Sequence, residues 1–375
     1  MATPEATWAT LAAAWWRLRI RWPIRPHPTP PGPGPLTAPP LLQDPDNLKL
    51  FTDLYGLPGY ADYREMLRQE ELDVVAPILP VEPNPDVVTE CLCWPGVKAV
   101  YCEKPMAASL EDSDRMVAAA EEHGVAFAAG DAYRNMPQHW KVRALIDSGA
   151  LGEVRSLNLY QAQSEISGGG CQGLSVLRLF ANDAPVERVT GWCSGDPWDD
   201  GDQNMGGVVR FANGIDGFIH NQKGNFDGIE VICEKGRYKT SWSHGQLWRG
   251  GFGEPEVEDT AFFEQFGEDW IQPSGTRQKH GIESLVAAID TGGDPRCSGA
   301  NMRAVLEIAI GLRESHRRGF ASVQLPLEDR TLKIIPAMSR YLNKKPQLGE
   351  EVYSAAIQDS AGRPIGGAET RAAKL

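Results

Sequence analysis

The chain has 375 residues, 42% apolar and 23% charged, with a net charge of −13; this exceeds the roughly 250 to 300 residues at which one core stops growing, so two folded units are expected. The acidic balance argues against a nucleic-acid partner, which needs concentrated Lys and Arg, and no apolar run reaches the roughly 18 residues of a membrane span. Seven cysteines, odd in number and without a CxxC pair, give neither a disulfide framework nor a zinc site and fit a reduced, cytoplasmic setting.

Residues 1–43 differ in composition from the rest. Arg17, Arg19, Arg21 and Arg25 against Glu5 give this stretch +3 and leave −16 for the remainder. Nine prolines stand between Pro23 and Pro40. Proline fixes φ and removes the amide donor, so an extended leader without internal hydrogen bonds is expected. Its arginines follow the apolar stretch, against the order of a secretory signal; a transit peptide and a misassigned start or reading frame are the alternatives.

From Asp44 the pattern becomes regular. Helical spacing is expected over Asp46 to Tyr55, Tyr63 to Arg68 and Pro85 to Trp94, and apolar strands over Leu72 to Leu79, Val97 to Cys102 and Val125 to Ala129. Ser109 caps a helix running through Glu122. This alternation predicts an α/β fold with a doubly wound parallel sheet.

Beyond Arg134, one helix over His139 to Ser148 precedes short strands and tight turns, the pattern of a mixed or antiparallel sheet. Asn213-Gly214 and Lys235-Gly236 are read as hairpin turns. A last helix spans Asn301 to Arg317, with Gly319 ending it. The expected division is 1–43 leader, 44–134 incomplete Rossmann-like domain, 135–345 α+β substrate and oligomerisation domain, and 346–375 tail.

The run from Val97 to Ala107, reading VKAVYCEKPMA, with a capped helix, His123-Gly-Val and Tyr133-Arg134 after it, closely resembles the Gfo/Idh/MocA family of glucose-fructose oxidoreductase and inositol dehydrogenase relatives. The likeness continues through Leu145 to Val154, the Gly168 to Gly170 turn, Phe211 to Gly214, Glu234 to Gly236 and Gly292 to Pro295, and closes at Asp329. It implies hydride transfer between NAD or NADP and a carbinol carbon of a sugar, cyclitol or related polyol. A homodimer or homotetramer is implied too.

The resemblance also assigns residues. Lys104, within Glu103-Lys104-Pro105, matches the family lysine beside the nicotinamide and substrate oxygen, where an ammonium stabilises oxyanion charge; the plain alternative is a surface lysine at a strand end. Leu79, Pro80 and Asn84 match the strand-end loop passing the cofactor, Asn84 standing where a histidine is common; otherwise it is a turn residue. Arg134 matches an arginine near the domain junction, with a structural salt bridge as the alternative.

Two departures stand out. No Gly-x-Gly-x-x-Gly loop precedes Asp44, which itself resembles the acid that binds a ribose hydroxyl. The family's Asp-x-x-x-His pair falls on Gly168 and Gln172, neither of which titrates. Gln172 can orient a hydroxyl or simply start a helix; Asp131 and Tyr133 are substitute bases. A noncatalytic binding or scaffold protein is therefore the alternative to an enzyme. Asp196, Asp199, Asp200 and Asp202 read as a solvated loop, and no metal site is expected.

Overall fold

The computed structural model describes residues 48–49, 52, 58–79, 81–130, 133–161, 165–222, 224–241, 244–265 and 275–336. The leader, Asp44 and the tail beyond 345 lie outside them, as does most of the helix expected over 46–55.

The first unit is a parallel sheet of β1 (Val74–Val75), β2 (Ala99–Cys102) and β3 (Ala126–Ala129), in that order. The strand expected over 72–79 is laddered only at Val74 and Val75, but Glu103 N–H still donates to Pro77 O, so extended pairing continues past β1. All four residues of β2 are buried, as a central parallel strand covered on both faces requires. Ahead of the sheet lies α1 (Tyr63–Gln69), capped by Asp62.

Helices α2 (Asn84–Leu92) and α3 (Leu110–His123) connect the strands. Ser109 accepts from Asp112 N–H at the start of α3, and Gly124, at φ 64°, ends it in the left-handed conformation that glycine reaches without strain.

The second unit opens with α4 (Pro137–Asp147) and builds a nine-stranded sheet. Its strands are β4 (Val154–Tyr160), β5 (Val186–Cys193), β6 (Met205–Phe211), β7 (Asp216–His220), β8 (Gly228–Cys233), β9 (Gly236–Thr240), β10 (Gly245–Arg249), β11 (Val257–Glu258) and β12 (Val323–Gln324). The order is β11-β10-β9-β8-β4-β7-β6-β5-β12, antiparallel except for the β4–β7 pair. Helix α5 (Cys171–Phe180) and the long α8 (Gly299–Arg317) pack against this sheet, while the short α6 (Ala261–Glu264) sits beside β10.

Helix α7 (Gly275–Thr291) falls in the 135–345 stretch but belongs spatially to the first sheet. Leu285, with Ile282 and Ile289, packs on Val74, Ala76, Ala99, Tyr101 and Ala128. The chain thus crosses back, giving the parallel sheet helices on both faces.

Two turns differ from the sequence reading. At Asn213-Gly214 only Gly214 has positive φ, 83°, and Asn213 instead accepts from Ile215 N–H through Oδ1. At the β8–β9 hairpin the turn is Glu234-Lys235, because Gly236 already pairs with Cys233. A Cβ on Gly236 would stand 2.2 Å from Trp248 O, so glycine is required there by the neighbouring strand.

Candidate functional site

Glu103, Lys104 and Pro105 leave the carboxyl end of β2 directly, with a cis peptide between Lys104 and Pro105. Asn84, the first residue of α2, braces this turn. Its fully buried amide donates to Met106 O at 2.9 Å and Glu103 O at 3.4 Å, and its Oδ1 has no partner among the described residues. Glu103 and Lys104 are half-buried and Pro105 is buried.

The Lys104 ammonium crosses to the second unit and donates to Gly168 O at 3.1 Å. That carbonyl also accepts from the Cys171 thiol at the start of α5. Every residue of α5 except Gln172 is buried. Gln172 follows the Gly168 to Gly170 turn, on whose first carbonyl the Lys104 ammonium rests. A backbone carbonyl thus meets the lysine at the position where the resemblance leads one to expect a carboxylate.

Asp202 holds the turn from behind. Its Oδ1 accepts from Ile166 N–H at 2.9 Å and Ser167 N–H at 3.0 Å, and its Oδ2 from Ser167 Oγ at 2.8 Å and Gly168 N–H at 2.7 Å. Burial raises its pKa above the usual aspartate value, against the lowering effect of the Ser167 and Gly168 bonds. The solvated acidic loop expected from sequence is therefore divided: Asp202 is a brace, and Asp200 pairs with Arg317 at 3.0 Å and Arg313 at 3.2 Å. Asp196 and Asp199 cap their own loop by accepting from Trp198 and Gly201 N–H.

The remaining expected residues are spread around this crevice. Leu79 is half-buried just beyond β1. Arg134 is 3% exposed and inside the protein: its Nε donates to Arg296 O, Nη1 to Ser175 O and Nη2 to Asp183. The salt-bridge alternative describes these contacts. Asp44, Pro80 and Asp131 lie outside the described residues.

Sequence reasoning passed over Asp202, whose acidic, glycine-containing surroundings look like an ordinary loop, and Gln161, just after β4. Gln161 is 3% exposed, neither polar atom of its amide has a partner among the described residues, and a Cβ on Gly170 would stand 2.2 Å from its Nε2. A cleft of 490 Å³ lies elsewhere, at the amino ends of β2 and β3 beside Lys98, Gly124 and Ser298.

Comparison with known proteins fits this geometry. Residues 41–131 match the GFO_IDH_MocA model, an oxidoreductase family with an NAD-binding Rossmann fold. Over this stretch the chain is similar to the Gfo/Idh/MocA oxidoreductases. Among curated members of the Gfo/Idh/MocA type it is 31% identical to 1,5-anhydro-D-fructose reductase of Ensifer adhaerens, over 37% of this chain and 52% of that protein. It is 28% identical to trans-1,2-dihydrobenzene-1,2-diol dehydrogenase of Xenopus laevis, over 40% of this chain and 49% of that one. The chain thus spans about half the length of the curated relatives it matches.

Solved structures share the Gfo/Idh/MocA fold at low identity. Aldose-aldose oxidoreductase of Caulobacter crescentus, complexed with glycerol, superposes with a TM-score of 0.61 at 20% identity, covering 76% of this chain and 90% of that one. The WlbA dehydrogenase of Bordetella pertussis, in complex with NADH and UDP-GlcNAcA, gives 0.63 at 19% identity, covering 77% and 90%. Both sheets of the chain lie within one known architecture.

Proposed function

We propose that the chain transfers hydride between NAD or NADP and a carbinol carbon of a sugar, cyclitol or related polyol. The observation that carries this reading is the Lys104 ammonium at the carboxyl end of the middle parallel strand, facing the second sheet's unit across 3.1 Å. Ligands of open α/β sheets bind at the carboxyl ends of their strands. The relatives act on, or are complexed with, anhydrofructose, dihydrodiol, glycerol and nucleotide-sugar compounds by name.

The residues present fit the nicotinamide half of such a cofactor. Leu79 offers an apolar surface, Lys104 a cation, and the orphaned Oδ1 of Asn84 an acceptor close behind the same turn. When bound, the nicotinamide supplies or takes the hydride. Lys104 Nζ donates a hydrogen bond to the substrate oxygen and stabilises the charge that develops there, as preorganised donors do in a site shielded from water. Of Lys104 and Gln172 only Lys104 can carry a proton: in the reducing direction its ammonium gives a proton to the substrate oxygen and is left a neutral amine, in the oxidising direction the neutral amine takes the hydroxyl proton, and the Gln172 amide orients a neighbouring hydroxyl.

The same reading supports self-association. The sheet face turned away from α5 and α8 carries Trp192, 41% exposed, and Ile232, 37% exposed, with Tyr160, Phe218 and Trp248 half-buried beside them. A sheet face that sets these aromatic and apolar groups among charged ones such as Glu230 and Arg237 suits a second copy of the chain, in a homodimer or homotetramer. No described helix is long and apolar enough to cross a membrane, and seven cysteines outside any disulfide suit a reducing, cytoplasmic setting.

Titration with NADH and NADPH, followed by nicotinamide fluorescence, tests the cofactor; a panel of aldoses, cyclitols and linear polyols, followed by nicotinamide absorbance, tests the reaction. Since no Gly-x-Gly-x-x-Gly run precedes Asp44, binding weaker than about 1 μM is expected, because backbone donors at a helix start ordinarily hold the pyrophosphate. Turnover with at least one polyol is expected. A folded chain that binds neither nucleotide overturns the proposal.

A further inference from the structure

Gly168 presents its carbonyl to Lys104, yet a glycine fixes nothing about its own backbone. Between Ile166 and Gly170 three of five residues are glycine. Left to local preferences this turn would sample many conformations, and the carbonyl would point at Lys104 only part of the time. The direction has to be imposed from outside.

Asp202 is placed to impose it. Its carboxylate collects four hydrogen bonds from three consecutive residues, Ile166, Ser167 and Gly168, that are 34 to 36 positions away in sequence. A carboxylate is an acceptor-only group with about four lone-pair sites, so these bonds fill it. Bonds to an ionised acceptor are shorter and stronger than neutral ones. Pinning three successive N–H groups fixes the backbone through the 167–168 peptide, and with Gly170 N–H donating to Glu165 O at 2.9 Å on the far side the Gly168 carbonyl between them is held in direction.

The carboxylate is itself anchored. Asp202 N–H donates to Ile335 O at 2.8 Å, and Ile335 N–H donates to Asp200 O at 2.7 Å. Asp200 in turn pairs with Arg313, whose guanidinium is fully buried, and with Arg317, both on α8. The longest helix of the described structure is thereby connected through a strand-like clasp to the turn that meets Lys104.

We propose that Asp202 is a positioning residue of this crevice, holding the Ile166 to Gly168 turn so that the Gly168 carbonyl receives the Lys104 ammonium. Its importance for the reaction rests on the reading of Lys104 as the group acting on substrate oxygen. The positioning itself does not, and the two are separable by experiment.

The test compares the full chain with Asp202→Asn, an isosteric change that removes the charge and turns an NH2 toward amide donors. Trace acetic anhydride labels lysines in the native protein, and peptide mass spectrometry reads Lys104 against Lys98 and Lys333 as internal references. Labelling of Lys104 is expected to rise about fivefold or more in Asp202→Asn, with the two reference lysines unchanged. Its kcat is expected to fall about tenfold with little change in KM, the pattern of an interaction that acts after binding. A folded Asp202→Asn whose Lys104 labels at the wild-type rate overturns the proposal.

Should that variant not fold, Ser167→Ala removes one of the four bonds and keeps the carboxylate. A rise of about twofold in Lys104 labelling is expected, and no rise overturns the proposal. If Lys104→Ala leaves turnover intact while Asp202→Asn still exposes Lys104, the functional reading fails and the positioning stands.

Discussion

The side-chain amide of Asn84 donates to the carbonyl of Met106 at 2.9 Å, across 22 residues, and closes a bracket around Lys104 and Pro105. The start of α2 and the end of β2 are thereby one unit. Position 84 acts on the crevice through the turn it braces.

Asn84→Ala leaves the carbonyls of Met106 and Glu103 without that donor. A stability loss of about 1 to 3 kcal/mol is expected, the usual consequence of stranding buried polar groups, together with lower turnover. Urea denaturation and initial rates measure both. Wild-type values for the two would remove Asn84 from the account.

Arg134 joins three separate stretches, through Arg296 O, Ser175 O and Asp183. Replacing it with Met keeps the bulk and removes the charge, leaving the buried Ser175 carbonyl and the partly buried Arg296 carbonyl without their donor. A loss of about 1 to 3 kcal/mol is expected from the carbonyls left without their donor, since the Asp183 carboxylate is exposed enough for water to solvate it. A urea midpoint within error of wild type would contradict the assignment of Arg134 as a clamp.

Much of this was legible in the sequence because local signals agreed with the fold. Val97 to Cys102 is apolar throughout and became the central parallel strand; Ser109 and Gly124 carry cap chemistry and cap α3. Helix α7 was not legible, since its apolar residues Ile282, Leu285 and Ile289 find their partners about 150 to 200 residues earlier, and nothing near them marks which sheet they cover. The role of Asp202 was hidden for a similar reason. An aspartate in an acidic loop looks solvated until the distant Ser167 and Gly168 N–H groups are brought against it. Gly236 misled by one residue: its need for glycine comes from Trp248 O on the adjacent strand, while the turn itself lies at Glu234-Lys235.

Asp114 ties α3 to α8 and to the segment after β12, through Arg303 and Arg330. Burial alone would raise its pKa, but the hydrogen bonds from Arg330 and Arg303 outweigh it and the value is lowered. A lowered folded-state pKa gives stability that is complete above the unfolded value of about 3.9 and is lost as pH falls through the folded one. Asp114→Asn should therefore lower stability at pH 7 by about 1 kcal/mol, discounted for partial exposure, and the gap to wild type should narrow as the pH falls below the unfolded value of about 3.9. Parallel denaturation curves with a constant gap from neutral to acid pH would contradict this.

The central claim is that the Lys104 ammonium acts on the substrate oxygen. Single-turnover hydride transfer by Lys104→Met, with the best polyol of the panel and saturating nicotinamide nucleotide, tests it most directly. The expected result is a rate lower by about 100- to 1,000-fold, the usual effect of removing one preorganised donor to a developing oxyanion, with nucleotide affinity changed only slightly. Transfer at the wild-type rate by a folded Lys104→Met would contradict the claim.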